Sequence, residues 1–307
     1  MYKNLILFFS MKKNIRILNE KTIHKHLISS IITLNNGKIA TTSYDKTLKL
    51  FDINLNLIYS FQIGKDPLYY IIQIHSNECV ILSYDKVYII LIKDNKYDLI
   101  QILNEQAGIN KVIELKNYKL ISCYNTFILK IWYRNINNLF DCECIISGFK
   151  GIKNLFLVNE NCFVCTSNIE GLISFFNIKT YENKNIQYVN LIDYHNSIVL
   201  LDQNILGICC GYYKPSIYLI NIDKTKIFKE IDLNEKLSSI LKLNNNSFIL
   251  CGKGILIYCE YNNQKNEFIK VDKQIDIGKT FINLITKINN NTFAIVKNDI
   301  TLQIYTI

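Results

Sequence analysis

Short apolar segments recur along this chain in a fixed order, and the order itself repeats. It is plainest in three stretches: Leu34-Asn35-Asn36-Gly37-Lys38-Ile39-Ala40-Thr41-Thr42-Ser43-Tyr44-Asp45, then Ile74 to Asp85, then Leu115 to Asn125. Fainter copies begin at Val158, Asp202, Leu243 and Ile288, so successive copies are 40, 41, 43, 44, 41 and 45 residues apart. A period in this range means that each unit is too small to bury its own apolar face and must stack on its neighbours. Seven such units leave few architectures open.

Within a unit the grammar is constant. An apolar run such as Ile28–Leu34 meets an Asn-rich turn such as Asn35-Asn36-Gly37. A second run, Lys38–Ser43, leads through another turn to a third run with period-two alternation, Thr47–Ile53. A more variable run, Leu57–Ile63, closes the unit. The runs are rich in Ile, Val, Tyr and Phe and have strand length. Asn and Gly tolerate the left-handed backbone of tight turns. No segment of helical length carries a 3.6-residue period. Four strands per unit at this period predict an all-β, seven-bladed β-propeller with four antiparallel strands per blade. The last unit ends at Ile307 without a fourth strand, while Asn14–Leu18 is a spare strand ahead of the first unit. We therefore expect one domain, residues 14–307, closed by strand 14–18 pairing on 300–305, behind a poorly ordered tail at 1–13. Closure removes the sheet edges that would otherwise template aggregation.

The first unit resembles a WD40 repeat. Ile39 to Asp52 follows the L-A-S-G-S-x-D-x-T-x-x-x-W-D pattern, with Phe51-Asp52 in place of Trp-Asp and His24 in place of the repeat's Gly-His histidine. The second unit keeps Ser83 and Asp85; the third keeps Trp132, the only tryptophan. Later units keep the apolar pattern and lose most polar signatures. The resemblance implies a hydrogen-bonded staple inside the blade, here from His24, Ser43 and Asp45, and the general role of a non-catalytic interaction scaffold.

Composition bears on the setting. Lys+Arg number 35 against 26 Asp+Glu, a net charge of +9, but the lysines are scattered rather than clustered on one run, as a nucleic-acid reader would have them. A basic propeller binding RNA or anionic lipid through Lys25, Lys46, Lys86, Lys150, Lys214, Lys253 and Lys297 is the second reading, not the favoured one. Most of the ten cysteines lie inside apolar runs and read as small buried hydrophobes, which suits the reducing cytoplasm or nucleus. No segment is long and apolar enough to span a bilayer.

Catalytic motifs are missing: there is no P-loop, no GxGxxG and no nucleophile elbow. Cys142-x-Cys144 and Cys162-x-x-Cys165 have metal-like spacing, but positions i and i+3 of a strand face opposite ways, so no metal and no cofactor is expected. A channel-centred enzyme is the third reading. What recurs is a tyrosine at the turn after the second strand, Tyr44, Tyr84 and Tyr124, with Tyr212 and Tyr213 in the matching turn of unit five. With Asp45, Asp85 and Asn125 these predict a protein-binding rim on one face of the ring, the top. Loop residues Asp66, Tyr69, Lys150, Tyr194, His195 and Lys236 should join it. Tyrosine presents a large, stiff contact area with a polar tip.

Overall fold

In the computed structural model the chain is a ring of seven four-stranded antiparallel sheets without a helix among the described residues. Those residues are 15–307, except 94–95, 106–107, 117, 126–127, 149–150, 168–171, 188–196, 211–215, 233–236, 271–274 and 283. In blade 1 the strands Ile28–Thr33, Ile39–Ser43, Thr47–Phe51 and Leu57–Gln62 pair in sequence order, from the channel outward. Blades 2 to 5 repeat this meander. Blade 6 departs from it. Ser247–Asn262 runs through both middle strands and folds back at Lys253-Gly254, with Tyr261 N donating to Asn246 O at 2.8 Å. Its outer edge is supplied in two pieces, Glu267–Lys270 and Ile275–Phe281.

The second strands are the most buried because they are covered on both faces. Every residue of Ile39–Ser43, Glu78–Leu82 and Leu120–Tyr124 is buried. Such strands show no buried–exposed alternation, and in Ile39–Ser43 the hydroxyls of Thr41, Thr42 and Ser43 are buried with the rest. The core is divided into layers between blades: Ala40, Leu48, Ile71 and Ile81 between blades 1 and 2, Val80, Val112, Leu120 and Trp132 between 2 and 3. Outer strands alternate, as in Phe140–Ser147, because one face meets solvent.

Turn chemistry explains how the repeats diverged while the ring survived. The first turn of blades 1 to 3 holds Gly37, Asn77 and Tyr118 at φ of 80°, 62° and 63°. In blades 1 and 3 to 6 the turn before the outer strand opens on a side chain that accepts backbone N–H groups. Asp52 Oδ1 accepts from Asn54 N at 2.9 Å, Asn135 Oδ1 from Asn137 N at 2.9 Å, and Asn177 Oδ1 from Lys179 N at 2.8 Å. Asn221 and Asn262 do the same in blades 5 and 6. Asp and Asn make this turn equally well, so the acid of the repeat signature drifts to Asn at little cost.

The ring closes through the N-terminal strand, which completes blade 7 against Thr301–Thr306. The strand is Arg16–Thr22 rather than 14–18, with Arg16 opposite Thr306, Thr22 opposite Thr301 and a bulge between Ile17 and Asn19. The expectation followed the apolar run, but pairing uses the backbone, so the polar stretch Asn19–Thr22 pairs just as well. Ile17 and Leu18 are left 49% and 48% exposed. The tail expected at 1–13 lies outside the described residues.

Candidate functional site

The loops at the top of blades 1 and 2 are pinned by backbone and hydroxyl hydrogen bonds. Tyr44 N donates to Leu27 O at 2.9 Å, and Ser43 Oγ donates to His26 O at 3.1 Å. Tyr69 N donates to Leu82 O at 2.8 Å, and Ser83 Oγ to Pro67 O at 3.0 Å. Loops fixed in this way hold their side chains in place without a partner.

They bring three rings together. His26 stacks on Tyr44 with centroids 5.8 Å apart and planes at 17°, and Tyr44 meets Tyr69 edge-on at 5.3 Å and 86°. Tyr84 stands 66% exposed beyond them. Burial, then the neighbouring Tyr44, Tyr84 and Asp66, raise the Tyr69 pKa, so its hydroxyl stays a donor. Beside Tyr44 and Tyr69 a cavity of about 240 Å³ continues toward blade 7, lined also by Leu27, Ser29, Val296 and Asp299.

Tyr124 does not belong to this set. It is fully buried, and its hydroxyl accepts from Ser122 Oγ at 3.2 Å. The strand register gives the reason. Ile28 pairs with Ser43 and Ile109 with Tyr124, so Tyr124 stands where blade 1 has Ser43, and Asn125 stands where it has Tyr44. A slip of one residue turns a strand side chain to the other face. Aligning the three tyrosines by their turns hid that slip. Asn125 is exposed, and Asp85 is half-buried. Tyr212, Tyr213, Lys150, Tyr194, His195 and Lys236 lie outside the described residues.

Asp45 is occupied internally. His24 Nδ1 donates to Asp45 Oδ2 at 2.8 Å, Lys25 N donates to the same oxygen at 3.1 Å, and Thr47 N and Oγ1 reach Oδ1 at 3.0 and 2.5 Å. His24 Nε2 accepts from Thr41 Oγ1 at 2.8 Å. Thr41, not Ser43, is thus the hydroxyl of the staple: the two share one face of the strand, and Ser43 Oγ is engaged with His26 O. Burial pushes the Asp45 carboxyl up, but the bonds from Thr47, His24 and Lys25 outweigh it and hold the pKa at about 2. Burial also lowers the His24 pKa despite Asp45, which keeps the ring neutral.

Blade 3 fills the same place differently. Glu105 precedes Ile109 by four residues, as His24 precedes Ile28, and it pairs with Lys130 at 2.5 Å. Trp132 Nε1 donates to Ser122 Oγ at 2.8 Å, and the Lys130 ammonium lies 5.1 Å from the Tyr124 ring centre. In blade 2 the position is Gly64, where a β-carbon would stand 2.2 Å from the Tyr88 hydroxyl. The tyrosine occupies the space of the missing side chain.

The cysteine pairs sit on different strands. Cys142 and Cys144 lie on the outer strand of blade 3, and Cys162 and Cys165 on the second strand of blade 4. Burial pushes the Cys162 and Cys165 thiols up to about 11 and 12. No group of three or more metal-ligating side chains occurs among the described residues. Of the scattered lysines, Lys25 and Lys46 are exposed, Lys297 lies 3.8 Å from Glu20, and Lys150 and Lys214 are outside the described set. No described helix is long and apolar enough to cross a membrane.

No family model matches the chain, and no curated protein matches it in sequence. Among solved structures it is similar to the WD40 β-propeller domain of Doa1, with a TM-score of 0.75 over 96% of this chain and 97% of that one, at 13% identity. At that identity the likeness shows the fold: the chain is built as a seven-bladed propeller of the WD40 kind.

Proposed function

We propose that this chain is a non-catalytic protein-interaction platform whose partner docks on the top rim at blades 1 and 2. The observation that carries the reading is the contiguous ring cluster of His26, Tyr44 and Tyr69 on hydrogen-bonded loops, with the exposed Tyr84 on the neighbouring loop. Aromatic side chains on rigid scaffolds lose little entropy on docking and tend to dominate interface energies. Asp85 and Asn125 extend the proposed surface around the rim, and Asp45 contributes by fixing the turn. The buried cysteines fit a reducing compartment, the cytoplasm or the nucleus.

The test is affinity capture from native cells with the wild type and a Tyr44→Ala/Tyr84→Ala double variant, at low and at moderate salt. The expected result is a partner retained at moderate salt by the wild type and lost by the variant at an unchanged melting temperature. Equal capture by both proteins rules the rim out. Binding that collapses steeply with salt favours the basic surface and an RNA or anionic-lipid partner instead.

A further inference from the structure

The innermost strands of blades 1 to 6 each place one residue at a common level of the central channel. Ser30, Tyr70, Lys111, Asn154, Ser197 and Ser239 each pair with the equivalent position of their second strand, namely Thr42, Leu82, Cys123, Thr166, Cys209 and Cys251. Contacts run from blade to blade along this level. Lys111 Nζ donates to Asn154 Oδ1 of blade 4 at 3.1 Å and lies 5.9 Å from the Tyr70 ring centre of blade 2. The side chains of three successive blades therefore meet around one ammonium group.

The level is rich in donors and holds no acid. In blades 1 to 6 its members are hydroxyls, an amide and one amine. Among the described residues no carboxylate pairs with Lys111, unlike Lys119 and Lys130 on the same blade, which have Glu143 and Glu105. The hydroxyl of Tyr70 has no protein partner among the described residues, although the side chain is half-buried. Burial raises the Tyr70 pKa, so this hydroxyl stays protonated and available to donate. Burial lowers the Lys111 pKa, a cost that a counter-anion would remove. A half-buried ammonium without an acid, beside a hydroxyl with no protein partner among the described residues, is an incomplete ion pair.

We propose that the channel collar formed by Lys111, Tyr70 and Asn154 binds a small free oxyanion of the phosphate or sulfate type. Lys111 supplies the charge and Tyr70 a hydroxyl donor, while Asn154 holds the ammonium in place. The site lies in the channel and is separate from the tyrosines of the rim, so it stands whether or not the rim is the docking surface.

The test is titration calorimetry with sulfate, whose charge is constant through the neutral range, at fixed ionic strength made up with chloride. The wild type should give a saturable isotherm in the millimolar range or tighter. Lys111→Met should weaken it at least about tenfold, the loss expected for one charge-assisted contact. Tyr70→Phe keeps the ring and should weaken it by about threefold or more. Phosphate in place of sulfate should give the same order of variants. A linear, non-saturable response, or equal affinity in the wild type and Lys111→Met, overturns the proposal. If Lys111→Met fails to fold, Tyr70→Phe decides, and an unchanged affinity there overturns it too.

Discussion

Blades 1 and 3 tie the loop before their first strand to their interior at the same place, with different chemistry. Blade 1 uses a neutral imidazole between a carboxylate and a hydroxyl, His24 with Asp45 and Thr41. Blade 3 uses a Glu105–Lys130 ion pair beside a Trp132–Ser122–Tyr124 chain of hydrogen bonds. Both satisfy buried polar groups, so both are compatible with the ring. They differ in what happens when one member is lost. Losing the neutral imidazole leaves the Asp45 carboxylate its bonds from Thr47 and Lys25, whereas losing Glu105 leaves the Lys130 ammonium without its acid.

The largest effect should come from blade 3. Glu105→Ala leaves Lys130 without its acid and should cost about 3–5 kcal/mol, read as a shift in urea midpoint at unchanged slope. The double change Glu105→Gln/Lys130→Met should recover most of that loss. Additive losses in the double variant would mean that the pair is not coupled as its geometry implies. Tyr124→Ala removes a fully buried ring and belongs in the same range, about 3–5 kcal/mol.

Blade 1 should be the softer of the two. His24→Ala exposes Asp45 and Thr41 to incomplete hydrogen bonding and should cost about 2 kcal/mol. A loss as large as that of Glu105→Ala would remove the distinction between the two networks.

Acidity should separate the blades further. The folded His24 pKa lies below its usual 6.5, so the unfolded chain takes up the proton first, and stability present above about pH 6.5 is lost as pH falls through the folded value. Asp45, held at about 2 against a usual 3.8, adds a second loss, which begins below about pH 4 and is complete below pH 2. Both losses should disappear from the pH profile of a His24→Ala/Asp45→Asn variant, measured as urea midpoint against pH. A profile unchanged from that of the wild type would assign the acid sensitivity to other groups.

The smallest stability effect should come from the rim. Tyr84→Ala, 66% exposed, should move stability by less than about 0.5 kcal/mol. Set beside Tyr124→Ala, it tests the register argument directly. Similar melting temperatures for these two variants would return Tyr124 to the surface set.

Much of this was legible in the chain itself. The period of about 42 residues, the strand-length runs and the Asn-rich turns set the number of blades and the order of their strands, because a short repeat must stack and a turn needs residues that accept its backbone angles. The missing fourth strand of the last unit pointed to N-terminal closure, since an open edge is a liability. Spacing also placed His24, Asp45 and Trp132 in their blades. Tertiary structure alone decided which side chain of a run faces where. Tyr44 and Tyr84 reach the rim and Tyr124 the core because a single residue of register separates them. Thr41 rather than Ser43 meets His24 although both lie on one face of the strand, because Ser43 Oγ is engaged with His26 O. The stacking of His26 on Tyr44, the Lys111–Asn154 contact and the extension of the closing strand to Thr22 join residues from different loops, blades or ends of the chain. Local pattern carries no record of such meetings, because they depend on how whole blades pack around the ring.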